Sequence, residues 1–367
     1  MNGAELLIAT AKSEGIEICF ANPGTTEMPF VAAFDSEPGI RPILGLHETV
    51  CTSAADGYAR MKGRAAMVLL HLGPGLANGT ANLHNARRAH VPMFVVVGDH
   101  TTWHRPFDPL LNMEVEALAR TSSGHVKQNR SADSLGSDTA EAIAETRAGG
   151  GQISTLVVPH DSQWTETDAA IPEPGKRTEQ LVSSAQVSQA AQALAEMPGN
   201  TALMLGGAGL SEAGLKAAGR IARKTGCRLI TDNFFTRMER GAGLPPVDRL
   251  AYFPEQAAAQ LGEFDCVVLA GLRPPVAFFG YQDGISQILT GEQAVSLCGV
   301  GDDVVGTLTA LSEDLGAPDS WDETPLAPPE IPEGDLAPEK LSAVIAALQP
   351  EGAILVDEGL TSAVAYF

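Results

Sequence analysis

Leu46-His47-Glu48-Thr49, followed by Ala54-Ala55-Asp56-Gly57-Tyr58-Ala59-Arg60, is the stretch that decides how this chain is organised. Just before it Pro42-Ile43-Leu44-Gly45-Leu46 reads as a short buried strand, and residues 49–62, rich in small side chains, read as a helix. Glu48 therefore falls where strand passes into helix. In an α/β domain such a position borders the sheet edge where ligands bind, and loss of water there can lift a carboxyl pKa toward neutrality. The plainer reading is a helix N-terminal charge favoured by the dipole.

Outward from this stretch, helix and strand alternate. Residues 4–13 carry apolar side chains at helical spacing and 16–21 form a first strand, which ends in Phe20-Ala21-Asn22-Pro23-Gly24-Thr25-Thr26-Glu27. A helix is expected over 27–34. Leu70-His71-Leu72-Gly73-Pro74-Gly75 ends a third strand, Asn78-Gly79 opens the next helix, and residues 91–99 supply a fourth strand. Residues 109–120 and 133–146 look helical, and 154–159 close the sheet. Such alternation calls for an α/β fold with a doubly wound parallel sheet covered on both faces.

A second α/β unit follows the boundary marked by Pro172 and Pro174. An Ala-rich helix begins near Val187, and strands are expected at 202–205, 228–231, 265–270 and 294–297. The turn Gly206-Gly207-Ala208-Gly209 invites a dinucleotide reading, yet the third glycine of that fingerprint would fall at Glu212. A glycine turn still leaves backbone N–H groups at a helix start, so phosphate or flavin nucleotide binding stays open beside the simpler reading of a tight turn. From 313 to 339 there are nine acidic residues, six prolines and no Lys or Arg, which reads as a solvated linker. A third unit then starts with a helix over 340–348, a strand over 353–358 and a helix entering at Thr361. The expected domains are 1–165, a linker over 166–184, 185–312, the acidic linker 313–339, and 340–367 as the start of a truncated domain.

Composition narrows the function. The 367 residues allow two or three domains, each with its own core. A formal charge of −21 argues against nucleic acid and anionic membrane surfaces, both of which need a basic face. No apolar run reaches membrane-spanning length, and the N-terminus lacks a basic segment leading into an apolar one. The five cysteines, Cys19, Cys51, Cys227, Cys266 and Cys298, lack zinc spacing and mostly sit in apolar runs, which fits reduced thiols in a cytoplasmic protein. All eight histidines precede residue 161, but none sits in a His-Glu-x-x-His pattern, so no metal ligands are assigned. The loop Trp103-His104-Arg105-Pro106 is read instead as lining a substrate entrance, where Arg105 either meets a carboxylate or is simply solvated, the plainer reading.

Taken in order, the Phe20–Glu27, Leu46–Thr49, Leu70–Gly75, Asn78-Gly79 and Val91–Asp99 stretches resemble the pyrimidine-binding domain of thiamine-diphosphate-dependent enzymes, in the acetolactate synthase and benzoylformate decarboxylase branch. The resemblance runs over about the first 165 residues and more weakly through the middle of the chain. It implies 2-oxo acid chemistry, either decarboxylation as a lyase or acetolactate-type carboligation as a transferase, with pyruvate among the candidate substrates. It assigns Glu48 the part of a carboxyl that hydrogen-bonds the cofactor's pyrimidine ring and makes its imino group basic. It makes His71 an active-site residue for protons or substrate, the alternative being a core histidine bonded to backbone. Pro23, Gly24, Gly73, Pro74, Gly75 and Asn78 would let backbone approach the planar ring. Thr25 and Thr26 would hydrogen-bond a substrate carboxylate, or else cap the helix at Glu27. His47 is held as a supporting neighbour of Glu48.

The same resemblance implies Mg2+ with thiamine diphosphate, and FAD in the central domain of some members. The metal motif of the diphosphate-binding domain is not matched by Gly301-Asp302-Asp303 or by Asp283-Gly284, so its site is expected in a missing domain. The chain is thus expected to be a fragment or one half of a split enzyme, inactive alone. It would act as a homodimer or homotetramer, or in complex with a chain carrying the diphosphate-binding domain. The contrasting expectation is a non-catalytic dimerising or regulatory protein that complements such a partner.

Overall fold

The computed structural model describes residues 1–175, 182–282, 284–289, 291–359, 361, 362 and 366. Asp283, part of the expected 166–184 linker and most of the helix expected from Thr361 lie outside the described residues. The chain divides into two compact units, Met1–Gln180 with Val300–Asp302, and Leu181–Gly299 with Asp303–Phe367.

In the first unit the order is α1 (Gly3–Ser13), β1 (Ile18–Asn22), α2 (Met28–Ser36), β2 (Arg41–Leu44), α3 (Glu48–Lys62), β3 (Ala66–His71), α4 (Leu72–Arg88), β4 (Met93–Asp99), α5 (Val115–Ala119), β5 (His125–Gln128), α6 (Leu135–Glu145), β6 (Ile153–Pro159) and α7 (His160–Trp164). Local chemistry sets several boundaries. Asn2 and Glu5 cap α1 reciprocally, and Gly63 in the left-handed region ends α3. The six strands pair in parallel in the order β2-β1-β3-β4-β6-β5. Along β3, Met67 and Leu69 face a core shared with α1, α2 and α6, while Ala66, Val68 and Leu70 face one shared with α3, α4 and α5. Burial on both faces is why β3 and β4 read as unbroken apolar runs.

The winding direction reverses between β1 and β3. At such a switch point the loops leave the strand ends in opposite directions and open a crevice at the carboxyl edge. The loops after β1 and β3 form its two sides.

The structure corrects several expectations. The strand before Glu48 is not buried: β2 is an edge strand, with Leu44 69% and Leu46 92% exposed. Asn78-Gly79 does not open a helix, because α4 already starts at Leu72 and takes Gly73-Pro74-Gly75 as its first turn. Only Val115–Ala119 of 109–120 is helical; Asp108 adopts a left-handed conformation and Asn112 N–H closes a turn on Pro109 O at 2.7 Å. The sheet is closed by β5, outside β6.

The second unit holds α8 (Ser184–Glu196), β7 (Thr201–Leu205), α9 (Glu212–Thr225), β8 (Arg228–Thr231), β9 (Asp248–Arg249), α10 (Pro254–Leu261), β10 (Cys266–Ala270), β11 (Ala294–Cys298), α11 (Val304–Asp314) and α12 (Pro338–Leu348). Its parallel strands run β11-β10-β7-β8-β9, with a switch point between β7 and β10. Residues 353–358, expected as a strand, are irregular and exposed.

The acidic segment is not a free linker where it passes α9. Trp321 packs over Gly219, donates from Nε1 to Gly243 O at 2.9 Å and lies 5.8 Å from Lys216 Nζ. Arg220 donates to Pro318 O at 3.0 Å, and Arg223 pairs with Asp322 at 2.5 Å. Composition alone gave no sign of this, because the basic partners lie on one face of a helix about a hundred residues earlier. Trp321→Ala is expected to release the strap and speed limited proteolysis within 315–330 roughly tenfold, the change that ~1.4 kcal/mol of easier local opening would give. An unchanged cleavage rate would show that the tryptophan does not hold it.

Candidate functional site

Behind β1 the chain runs Asn22-Pro23-Gly24 into a 3-10 turn, Thr25–Glu27, and at its end the Glu27 carboxylate is wholly buried. An isolated buried carboxylate is strongly unfavourable unless its oxygens are satisfied. Three donors converge on this one. Gly24 N–H reaches Oε2 at 2.8 Å, the Thr26 hydroxyl reaches Oε1 at 2.6 Å, and His71 Nδ1 stands 2.7 Å from Oε2. Thr26 Oγ1 also lies 3.2 Å from His71 Nδ1.

His71 comes from the end of β3, across the switch point. The next residue, Leu72, is buried and left-handed at φ 53°, a conformation a branched side chain rarely adopts and one that costs on the order of 1–3 kcal/mol. It turns the chain directly from strand into α4 and leaves His71 at the rim. The Glu27 carboxylate holds the imidazole pKa above its ordinary value, against burial, with Glu48 adding in the same direction. Two glycines make room for the pair. A Cβ on Gly24 would stand 2.4 Å from the His71 ring, and one on Gly98, the β4 partner of His71, 1.8 Å from Glu27 Oε1.

Glu48 enters from the start of α3. His47 caps that helix, its Nδ1 accepting from Thr49 N–H at 3.2 Å, and lies 4.0 Å from Glu48 Oε2. Asn78, in the second turn of α4, donates from Nδ2 to Glu48 Oε2 at 3.0 Å. Thr49 and Thr52 hydroxyls reach Asn78 O and Gly79 O, so the two helices fix each other's register. Gly75 lies between Glu48 and His71, since a Cβ there would be 3.4 Å from Glu48 Oε1 and 3.5 Å from His71 Cβ. The Glu48 side chain is 13% exposed, and Oε1 has no hydrogen-bond partner among the described residues.

The structure thus brings Gly24, Thr26, Glu48, His71, Gly75 and Asn78 to one rim. Thr25 is exposed, Pro23 and Pro74 are half-buried beside them, and Gly73 packs instead under Met113, where a Cβ on the glycine would stand 2.4 Å from Met113 Cβ. Glu27, Leu72, Gly98 and Asp99 went unassigned in sequence. The signal for Glu27 was present in the Asn22–Glu27 run, but a glutamate opening a helix looks like a dipole charge until His71 is seen against it.

A second group continues the rim at the ends of β4 and β6. Asp99 is buried; burial pushes its pKa up, opposed by the His100 N–H at 2.8 Å and by Arg105, 3.2 Å from Oδ2. Arg105 therefore meets a carboxylate of its own chain. His100 and His160 are both pushed down by burial, and the His100 ring lies 5.7 Å from that of His104.

Comparison with known proteins gives the following. Residues 1–125 match the family described as thiamine pyrophosphate enzyme, N-terminal TPP binding domain. The chain is 46% identical over 365 residues to IlvX of Mycobacterium tuberculosis, a protein provisionally named an acetolactate synthase large subunit; the match spans 99% of this chain and 70% of that protein. It is 40% identical over 87 residues to benzoylformate decarboxylase of Pseudomonas aeruginosa, covering 24% of this chain and 16% of the other. The thiamine diphosphate-dependent 4-hydroxybenzoylformate decarboxylase of Rhodococcus jostii RHA1 superposes with a TM-score of 0.84 at 22% identity, over 100% of this chain and 72% of that one, which is a likeness of fold.

The Glu27–His71 pair sets a pH dependence. Because the folded imidazole pKa is raised, the pair's contribution to stability is complete below the unfolded value of about 6.5 and is lost as pH rises through the raised folded value. NMR titration of His71 is expected to show a pKa above 6.5, falling in Glu27→Gln together with the loss of that stability slope. A His71 that titrates alike in both proteins would remove Glu27 as the cause.

Proposed function

The chain belongs to the thiamine pyrophosphate enzyme family, and on that premise we propose that it carries the pyrimidine side of a 2-oxo acid decarboxylase or acetolactate-type carboligase. The observation that carries the reading is the meeting of Glu48, Asn78, Gly75 and His71 at the switch point of the first sheet.

The residues suit an aminopyrimidine. Glu48 offers Oε1 while Asn78 holds Oε2, so the carboxyl is aimed before any ligand arrives. The glycine at 75 leaves the flat approach that a ring needs. In this proposal Glu48 would hydrogen-bond the ring nitrogen, Gly24, Pro74 and Gly75 would shape the wall with Gly73 packed behind it under Met113, and His71, its proton affinity raised by Glu27, would orient the substrate carboxylate or return a proton, with Thr26 beside it and Thr25 at the opening. When bound, the cofactor supplies a carbanion nucleophile and an electron sink for the carbon–carbon bond change. The diphosphate and Mg2+ are assigned to a diphosphate-binding domain on a further segment or on a partner chain, following the family pattern. Five buried thiols fit a reducing compartment such as the cytoplasm. No helix of the described residues is long and apolar enough to cross a membrane.

Association with a second copy is part of the proposal. Leu44, Leu46 and Val50 are exposed on the β2 edge and the start of α3, beside Glu48, and such a patch favours a protein partner. The non-catalytic alternative uses the same surface for pairing alone. Carbon dioxide release from pyruvate and benzoylformate, assayed with thiamine diphosphate and Mg2+ for the chain alone and with a polypeptide carrying a diphosphate-binding domain, separates the two. Glu48→Gln is expected to lower turnover roughly a hundredfold or more with circular dichroism unchanged. Near-full activity in that variant would sink the role given to Glu48, and no turnover in either setting would favour the non-catalytic reading.

A further inference from the structure

The second sheet has a crevice of the same topological kind. At its switch point Gly206 N–H donates to Ala270 O at 2.9 Å, and a Cβ on Gly206 would stand 2.7 Å from Gly271 O. The chain after β7 passes through Gly207, left-handed at φ 52°, to Ser211, the N-cap of α9. A dinucleotide in such a crevice rests its diphosphate on the first-turn N–H groups of the helix after the glycine turn.

Two of those groups are already engaged by the protein itself. Ser211 Oγ accepts from Gly214 N–H at 3.3 Å, and the Glu239 carboxylate accepts from Glu212 N–H. Glu239 belongs to the irregular segment between β8 and β9 and is held in place twice. Its own N–H donates to Leu210 O at 2.9 Å, and its second oxygen pairs with Arg237. Glu212, where a dinucleotide fingerprint would have its third glycine, adds another carboxylate in the first turn and is tied to Lys216 at 2.5 Å. A diphosphate brought here would have to displace one carboxylate and lie beside a second.

We infer that Glu239 occupies the anion position at the start of α9 and closes the second unit to FAD and other diphosphate-linked nucleotides. The glycine turn, the N-cap and the strand order are those of a nucleotide crevice, but an internal carboxylate has taken the ligand's place. The inference stands on the second unit alone and does not depend on the chemistry proposed for the first.

Calorimetric titration of the full chain with FAD, ADP and inorganic pyrophosphate is expected to give no saturable binding at millimolar ligand. In Glu239→Ala, with the melting curve of the parent, the Glu212 amide resonance is expected to shift and saturable pyrophosphate binding to appear, about tenfold tighter than the millimolar limit of the unaltered chain. Saturable binding of FAD or ADP to the unaltered chain would overturn the inference. So would a folded Glu239→Ala that leaves both the Glu212 amide and pyrophosphate binding unchanged. If the alanine variant melts early, Glu239→Gln gives the same reading: removing the charge is expected to move the Glu212 amide resonance and to let pyrophosphate bind, and an unmoved amide with no binding would count against the assignment.

Discussion

A single buried charge organises the first unit. Glu27 has no access to water, and an unpaired carboxylate in that position would cost more than most local interactions return. Its three donors come from separate pieces of chain, the Gly24 backbone, the Thr26 side chain and His71 on the neighbouring strand. Meeting them constrains positions that have no polar part in the contact. Gly24 must lack a side chain because the His71 ring fills that space, Gly98 must lack one because Glu27 does, and Leu72 is forced left-handed so that α4 begins at once behind His71. Desolvation of one group thus accounts for two glycines and a strained leucine.

Topology explains why these pieces meet. In the order β2-β1-β3-β4-β6-β5 the loops after β1 and β3 diverge, and a gap opens between them. Glu48 reaches the same gap because β2, beyond β1, hands the chain to α3 on that side. The second sheet repeats the geometry with a different outcome. Its gap lies between β7 and β10, and there the anion-favouring start of α9 is met from within, by Glu239. Equivalent crevices carry equivalent electrostatic demands, and the residues lining each decide whether a ligand or the chain answers them.

How far the sequence discloses this follows from where each signal resides. Doubly buried strands such as Met93–Asp99 carry their burial in their own composition, so the parallel α/β fold and the position of Glu48 were legible. Leu44 and Leu46 carry the same apolar signal while lying on an exposed edge, because hydrophobicity reports what a residue can bury and not whether this chain buries it. The helix expected over 109–120 failed for a related reason: its apolar residues have helical spacing, yet Leu110 faces water and Met113 turns to Gly73. The acidic strap and the Glu27–His71 pair depend on partners about a hundred and 44 residues away, and no local pattern encodes them.

The electrostatics of the first rim carry a chemical consequence. His71 is pushed toward its charged form by Glu27, while burial pushes His100 and His160 toward their neutral forms. The Nε2 of His100 is buried without a hydrogen-bond partner among the described residues, so this imidazole is neither solvated nor paired there. Identical side chains are thereby driven apart in proton affinity, by a contacting acid in one case and by loss of water in the others. A rim that raises the proton affinity of one imidazole and lowers that of others separates proton donor from proton acceptor, the kind of division that general acid and base catalysis uses. The raised affinity of His71 rests on its contact with buried Glu27, so the residue that sets the geometry of this part of the site also sets the proton affinity of its imidazole.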